Sequence, residues 1–146
     1  MIVQRTLDVG VCLSILTNSE IFDLISEDNA TFNDLTVDVI NHYWLSIHDE
    51  ELIGVMQIKP ITSSCFEGHI HILKEHRKKH SDKAGEQIIN WCKDNLKGTL
   101  YAYTPSYCKN VINFLERFKF ANTGFIPKAW NKNGELNDLT ILTRVI

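Results

Sequence analysis

Three side chains that can move protons or hold ions stand two apart in FEGHIHIL, residues 66–73: Glu67, His69 and His71. The stretch reads as a strand, and a period of two puts all three on one face. A carboxylate inside such a strand is a candidate general base, acting directly or through water, and Glu67 is the one carboxylate available there. It reads equally well as a solvent-facing residue on a half-exposed strand. His69 and His71 form an H-x-H pair of a type that can bind metal, but no third ligand is identifiable and no metal is expected.

Directly after this strand comes KEHRKKHSDK, residues 74–83, where Lys74, Arg77, Lys78, Lys79 and Lys83 outnumber Glu75 and Asp82. His76 and His80 add charge at mildly acidic pH. Ala84, Ile88, Trp91, Cys92 and Leu96 then mark one face of a helix, so the basic segment is expected to be a loop leading into it. Backbone N–H groups between Lys78 and Ala84 could there point at a phosphate, helped by the helix dipole and by Lys78, Lys79 or Lys83. Asp82 opposes this by repulsion. Taken alone, such a basic run is a solvated charged turn; its place between a strand and an amphipathic helix favours anion binding.

Proton donors are less distinct. Tyr101, Tyr103 and Tyr107 lie close in sequence, with Tyr107 expected in the core at the head of an apolar stripe. Cys12, Cys65, Cys92 and Cys108 form no C-x-x-C pair, so reduced thiols are expected, with Cys108 structural. Trp44, Trp91 and Trp130 read as packing residues rather than a platform for bases.

The elements that must position these groups alternate between strand and helix, which points to an α/β or α+β domain spanning residues 1–146. Residues 2–7 read as a first strand. Val9, Cys12, Leu13 and Leu16 recur at helical spacing, and a second helix follows Asn18-Ser19, which can cap it. Strands at 42–48 and 51–59 flank the acidic turn Asp49-Glu50. After the helix of the 84–96 face, Gly98 leads into TLYAY, which is expected to stop at Thr104-Pro105. Tyr107, Val111, Phe114, Leu115 and Phe118 mark the last helix. Two strands then surround Asn131-Lys132-Asn133-Gly134, a favoured hairpin turn.

Composition bounds the function. The chain has 44% apolar and 23% charged residues and a formal net charge of −3, which argues against nonspecific nucleic-acid binding. No apolar run is long enough for a membrane span and no export signal is recognised, so the cytoplasm is the expected location.

This order of elements resembles the GNAT superfamily of N-acetyltransferases over nearly the whole chain. IHDEELIGVMQIKP looks like the family's second-to-third strand hairpin, with Gly54 after the turn. LKEHRKKHSDKA resembles the acetyl-CoA loop V-x-P-E-Y-R-G-K-G-x-G, although His80 and Asp82 replace its glycines. Pro105 and Phe120 fall in register with the C-terminal pattern, and Lys128, Ala129, Gly134 and Asp138 resemble the ending of the branch that acetylates protein N-termini. Two positions depart: Cys108 replaces an asparagine, and Leu115 stands where a tyrosine acid is common.

The resemblance implies a mixed, mainly antiparallel sheet of about six to seven strands flanked by about four helices. It implies an acetyl-CoA-dependent N-acetyltransferase that transfers directly to a small-molecule or protein amine. Acetyl-CoA would be held by Ile72, Leu73, Arg77, Lys78, Lys79, His80, Ser81, Asp82 and Lys83. The chain also resembles small GNAT-like proteins of tailed phages and prophages. That similarity implies the alternative of a non-catalytic accessory or virion-assembly protein bound to a phage protein, in the host cytoplasm.

Overall fold

The computed structural model describes all residues, Met1–Ile146. β1 (Ile2–Arg5) is followed by α1 (Val9–Leu16), α2 (Ser19–Ile25) and a 3-10 turn (Phe32–Asp34). Then come β2 (Tyr43–Asp49), β3 (Glu51–Thr62), β4 (Cys65–Ile72) and α3 (Lys74–Asn95). β5 (Thr99–Pro105), α4 (Lys109–Arg117), β6 (Ala121–Lys132) and β7 (Glu135–Val145) complete the chain. Side-chain oxygens start the first two helices: Asp8 accepts from the Val11 N–H and Asn18 from the Ile21 N–H, both at 3.2 Å.

The strands form one seven-stranded sheet in the order β1-β2-β3-β4-β5-β7-β6. Every pairing is antiparallel except that of β4 with β5, which gives the expected mixed, mainly antiparallel sheet with four helices. α3 and α4 cover one face, where Leu45, Met56, Ile58, Phe66 and Leu142 meet Ala84, Ile88, Cys92 and Leu115. On the other face α1 and α2 pack Cys12, Ile15 and Ile21 onto Trp44 and Val55. Each fully buried aliphatic side chain contributes about 1.5–3 kcal/mol.

Two glycines are required by geometry. The β2–β3 ladder is irregular at Ile47/His48, and beside it a Cβ on Gly54 would lie 2.4 Å from the His71 carbonyl oxygen. Glycine therefore lets β4 close on β3 there. At the β6–β7 turn, Asn133 and Gly134 have φ of 54° and 76°, the left-handed pair of a two-residue hairpin.

Several boundaries differ from expectation. β1 ends at Arg5, and β3 runs on to Thr62. β5 includes Thr104 and Pro105, the latter opposite Leu139 at the strand's last position, where a missing donor costs little. Tyr107 is exposed and precedes α4, accepting a hydrogen bond from Trp130 Nε1 at 3.2 Å, and is no core residue.

The largest difference is α3. It begins at Lys74, directly after β4, so residues 74–83 are its first turns and the expected cationic loop is absent. Those residues include no glycine or proline and are rich in Lys, Glu and Arg, which lose little rotamer freedom in a helix. Glu75 and Lys79 have the i,i+4 order that supports a helix, and Glu75 suits the first-turn dipole.

Candidate active site

β4 and β5 are hydrogen-bonded only at their starts, where Cys65, Phe66 and Glu67 pair with Thr99, Leu100 and Tyr101. Beyond that point Gly68–Ile72 and Ala102–Pro105 have no ladder between them, although β4 stays paired with β3 and β5 with β7. The parallel strands thus splay into a wedge inside the sheet. The Leu73 N–H donates to the Ile53 carbonyl on β3 at 2.9 Å, so strand alternation turns the backbone groups of Gly68, Ile70 and Ile72 toward the opening. An extended ligand with its own amides can pair with such an edge.

Glu67, His69 and His71 share the sheet face of α1 and α2, because His71 lies opposite Val55 of that cluster. Glu67 sits where the wedge closes. One carboxylate oxygen accepts from the Tyr101 hydroxyl at 2.9 Å, and the other meets His69 Nε2 at 3.1 Å. These contacts, His69 foremost, hold the Glu67 carboxyl below its usual range against the opposing effect of burial. The Tyr103 ring packs edge-on against His69, with centroids 4.7 Å apart, bridging the splayed strands.

Both tyrosines remain protonated. Burial first and the Glu67 hydrogen bond second raise Tyr101, and burial followed by the Glu67 charge raises Tyr103. Tyr103 makes no side-chain hydrogen bond, and since no buried polar side-chain atom lacks a partner, its hydroxyl reaches solvent. Desolvation lowers His71 to about 3, with His69 and Arg77 acting in the same direction, which keeps it neutral. His69 and His71 do not converge with a third side chain as a metal site.

Two segments frame this face. From the β7 side, the β6–β7 hairpin extends past Pro105 and docks on the segment after α2. Asn133 and Gly134 N–H groups donate to the Asp28 carboxylate at 2.9 and 2.8 Å, and the Asn131 N–H to Glu27 at 2.8 Å. Lys132 Nζ reaches the carbonyls of Asp23 and Ser26 at 2.7 and 2.8 Å.

No protein-family model and no curated protein matches this chain. The likeness is to solved structures. The spermidine N-acetyltransferase of Vibrio cholerae, in complex with CoA and spermine, aligns with a TM-score of 0.77 at 18% identity, over 99% of this chain and 94% of that one. Ribosomal-protein-alanine N-acetyltransferase of Brucella melitensis aligns at 0.72 and 15% identity over 100% of both chains. The chain has the GNAT fold.

Within this GNAT fold the expected ligand residues fall into different places. Ile72 ends β4 and Leu73 caps α3. Arg77 donates from Nε to the Ile72 carbonyl at 2.8 Å and pairs through its other nitrogens with Glu20 of α2. His80 is buried 3.3 Å from Asp49, and exposed Asp82 bonds Arg117 of α4 at 2.8 Å. Lys78, Lys79 and Lys83 are exposed and make no ion pair. Ser81 is half-buried.

The amide cradle expected between Lys78 and Ala84 is corrected by α3. Those N–H groups lie inside the helix and donate to carbonyls one turn back. The helix's unbonded N–H groups are at its true start, Lys74 and Glu75, since the His76 N–H already reaches the Leu73 carbonyl at 2.9 Å. The other two departures are structural in effect. Leu115 is buried in the core, and Cys108 is the α4 N-cap, its thiol pushed up by burial and so not a nucleophile at neutral pH.

Sequence reasoning placed Glu67 with His69 on one face but missed Tyr101 as the partner of Glu67 and Glu20 as that of Arg77. Neither contact has a local signal, because the partners are 34 and 57 residues apart.

Proposed function

We propose that this chain is an acetyl-CoA-dependent N-acetyltransferase that transfers the acetyl group directly to a small-molecule or protein amine. The observation that carries the reading is the wedge between β4 and β5, floored by Glu67, His69, Tyr101 and Tyr103. The pantetheine arm of acetyl-CoA is extended and carries two amides, which suits the open edge of Gly68 and Ile70 and the N–H of Ile72, whose carbonyl is already held by Arg77. Its thioester would then approach the Glu67–His69 pair, and the acceptor amine would enter from the face framed by α2 and the β6–β7 hairpin. The Vibrio relative in fold is a spermidine acetyltransferase with CoA and spermine bound, in keeping with this chemistry.

The pyrophosphate fits less directly. Without an amide cradle, it would rest at the wedge mouth on the Lys74 and Glu75 N–H groups, with the side chains of Lys78 and Lys79 as cations. Arg77, held by Glu20 and the Ile72 carbonyl, would brace the mouth, and Lys83, more than two turns along α3, would add only to the positive field. Ile72 and Leu73 would border the pantetheine, and His80, Ser81 and Asp82 would support the helix behind it.

That same continuous α3 favours a second reading, a non-catalytic GNAT-fold protein, such as a phage accessory or assembly factor, that binds another protein. One pair of measurements separates the two. The enzyme reading expects calorimetric binding of acetyl-CoA and acetyl transfer to at least one member of a panel of polyamines, small amines and N-terminal peptides. No heat of binding and no transfer, with stable association to one partner protein, would move the conclusion to the second reading.

A further inference from the structure

We infer that His69, through Nδ1, is the group that takes the proton from the acceptor amine, with Glu67 as the residue that positions it. This rests on the acetyl-transfer reading above. Both Glu67 oxygens are already engaged, one by Tyr101 at 2.9 Å and the other by His69 at 3.1 Å, so an amine would have to compete with these partners for them. Two good hydrogen bonds stabilise its ionised form, which makes it a poor proton acceptor. The imidazole beside it has the opposite arrangement. With Nε2–H directed at the carboxylate, the ring is held in the tautomer whose Nδ1 carries the lone pair. His69 makes no other side-chain hydrogen bond, and no buried polar side-chain atom lacks a partner, so Nδ1 opens to solvent.

The surroundings hold the ring in place. Tyr103 packs edge-on against it from β5, while Gln57 of β3 is its ladder partner. Tyr101 fixes the far side of the carboxylate, completing a Tyr101–Glu67–His69 chain whose open end is Nδ1. In the transfer step, the amine nitrogen forms a bond to the thioester carbonyl carbon as its proton passes to Nδ1, and the C–S bond breaks. The departing sulfur receives a proton from the Tyr103 hydroxyl or from water. Water then carries the proton from His69 Nδ1 to the tyrosinate or hydroxide left behind, which restores the site, and the products are the acetamide and the free thiol.

The test compares His69→Gln, His69→Gly and Glu67→Gln in steady-state transfer from acetyl-CoA, with melting curves to confirm folding and nitrogen-15 NMR of the imidazoles in the ligand-free parent. The expected result is an Nε2–H tautomer for His69 and a fall in kcat of about 10²- to 10⁴-fold in His69→Gln with KM for acetyl-CoA little changed. Partial rescue of His69→Gly by added imidazole is expected too, together with a smaller loss in Glu67→Gln. A merely structural histidine would not be rescued by imidazole. An active parent whose His69→Gln variant keeps its rate, or an Nδ1–H tautomer, overturns the inference alone. A parent inactive on every amine overturns the acetyl-transfer reading and this inference with it.

Discussion

Arg77 and Glu20 meet as a bidentate pair at the end of β4, binding α3 to α2, while Arg77 Nε holds the last carbonyl of β4 at 2.8 Å. Both side chains are about one-third exposed, at 34% and 33%, so solvent screens the pair. Glu20→Gln should therefore lower stability by only about 1 kcal/mol, or roughly 2–4 °C in Tm for a chain of this size. The loss should shrink in 1 M salt. A Tm unchanged at low salt would show that the pair contributes nothing.

α3 runs through the region where the family resemblance implies a glycine loop. His80→Gly with Asp82→Gly replaces two weak helix formers by glycine, at roughly 0.3 kcal/mol each, and also removes the contacts to Asp49 and Arg117. The double variant should lose helical signal at 222 nm and melt lower. If the helix is what denies the pyrophosphate its amides, affinity for acetyl-CoA should rise in calorimetry. Weaker binding in a folded variant would mean that the helical form is the binding form.

His71 gives the fold a pH dependence. Its folded value is lowered to about 3 from an ordinary 6.5, so between these limits the unfolded chain binds the extra proton. Stability must then rise with pH through this window and fall as pH is lowered from about 6.5 toward 3. His71→Gln should flatten that limb of a urea-midpoint profile. The carboxyl of Glu67, held low by its partners, adds a separate loss that begins as pH falls into the ordinary carboxylate range. An unchanged slope between pH 6.5 and 4.5 in His71→Gln would contradict the assignment.

Leu115 is 8% exposed on the inner side of α4, packed in the cluster that joins α3 and α4 to the sheet. Leu115→Tyr adds a ring and a hydroxyl to a filled site and should cost about 1–3 kcal/mol in urea denaturation. Turnover should not improve, since Tyr103 already offers a protonated hydroxyl beside His69. A Leu115→Tyr variant as stable as the parent and faster in transfer would show instead that the position lies in the site.

What the sequence determined by itself is everything set by near neighbours. The period of two placed Glu67, His69 and His71 on one face, the Asn133-Gly134 pair fixed a hairpin, and Asn18 capped α2. Local propensity also carries the helical nature of residues 74–83, because the glycines that would hold a loop open there are absent. Tertiary structure decided the rest. The wedge exists because β4 and β5, joined by the long α3, pair at three positions and then diverge. Tyr101 reaches Glu67, Arg77 reaches Glu20 and the hairpin reaches Asp28 over separations of 34, 57 and 106 residues. Such contacts depend on register between distant strands and on how helices seat on the sheet. Those are properties of the packed whole, where burial and backbone pairing must be satisfied together, and no local spacing encodes them.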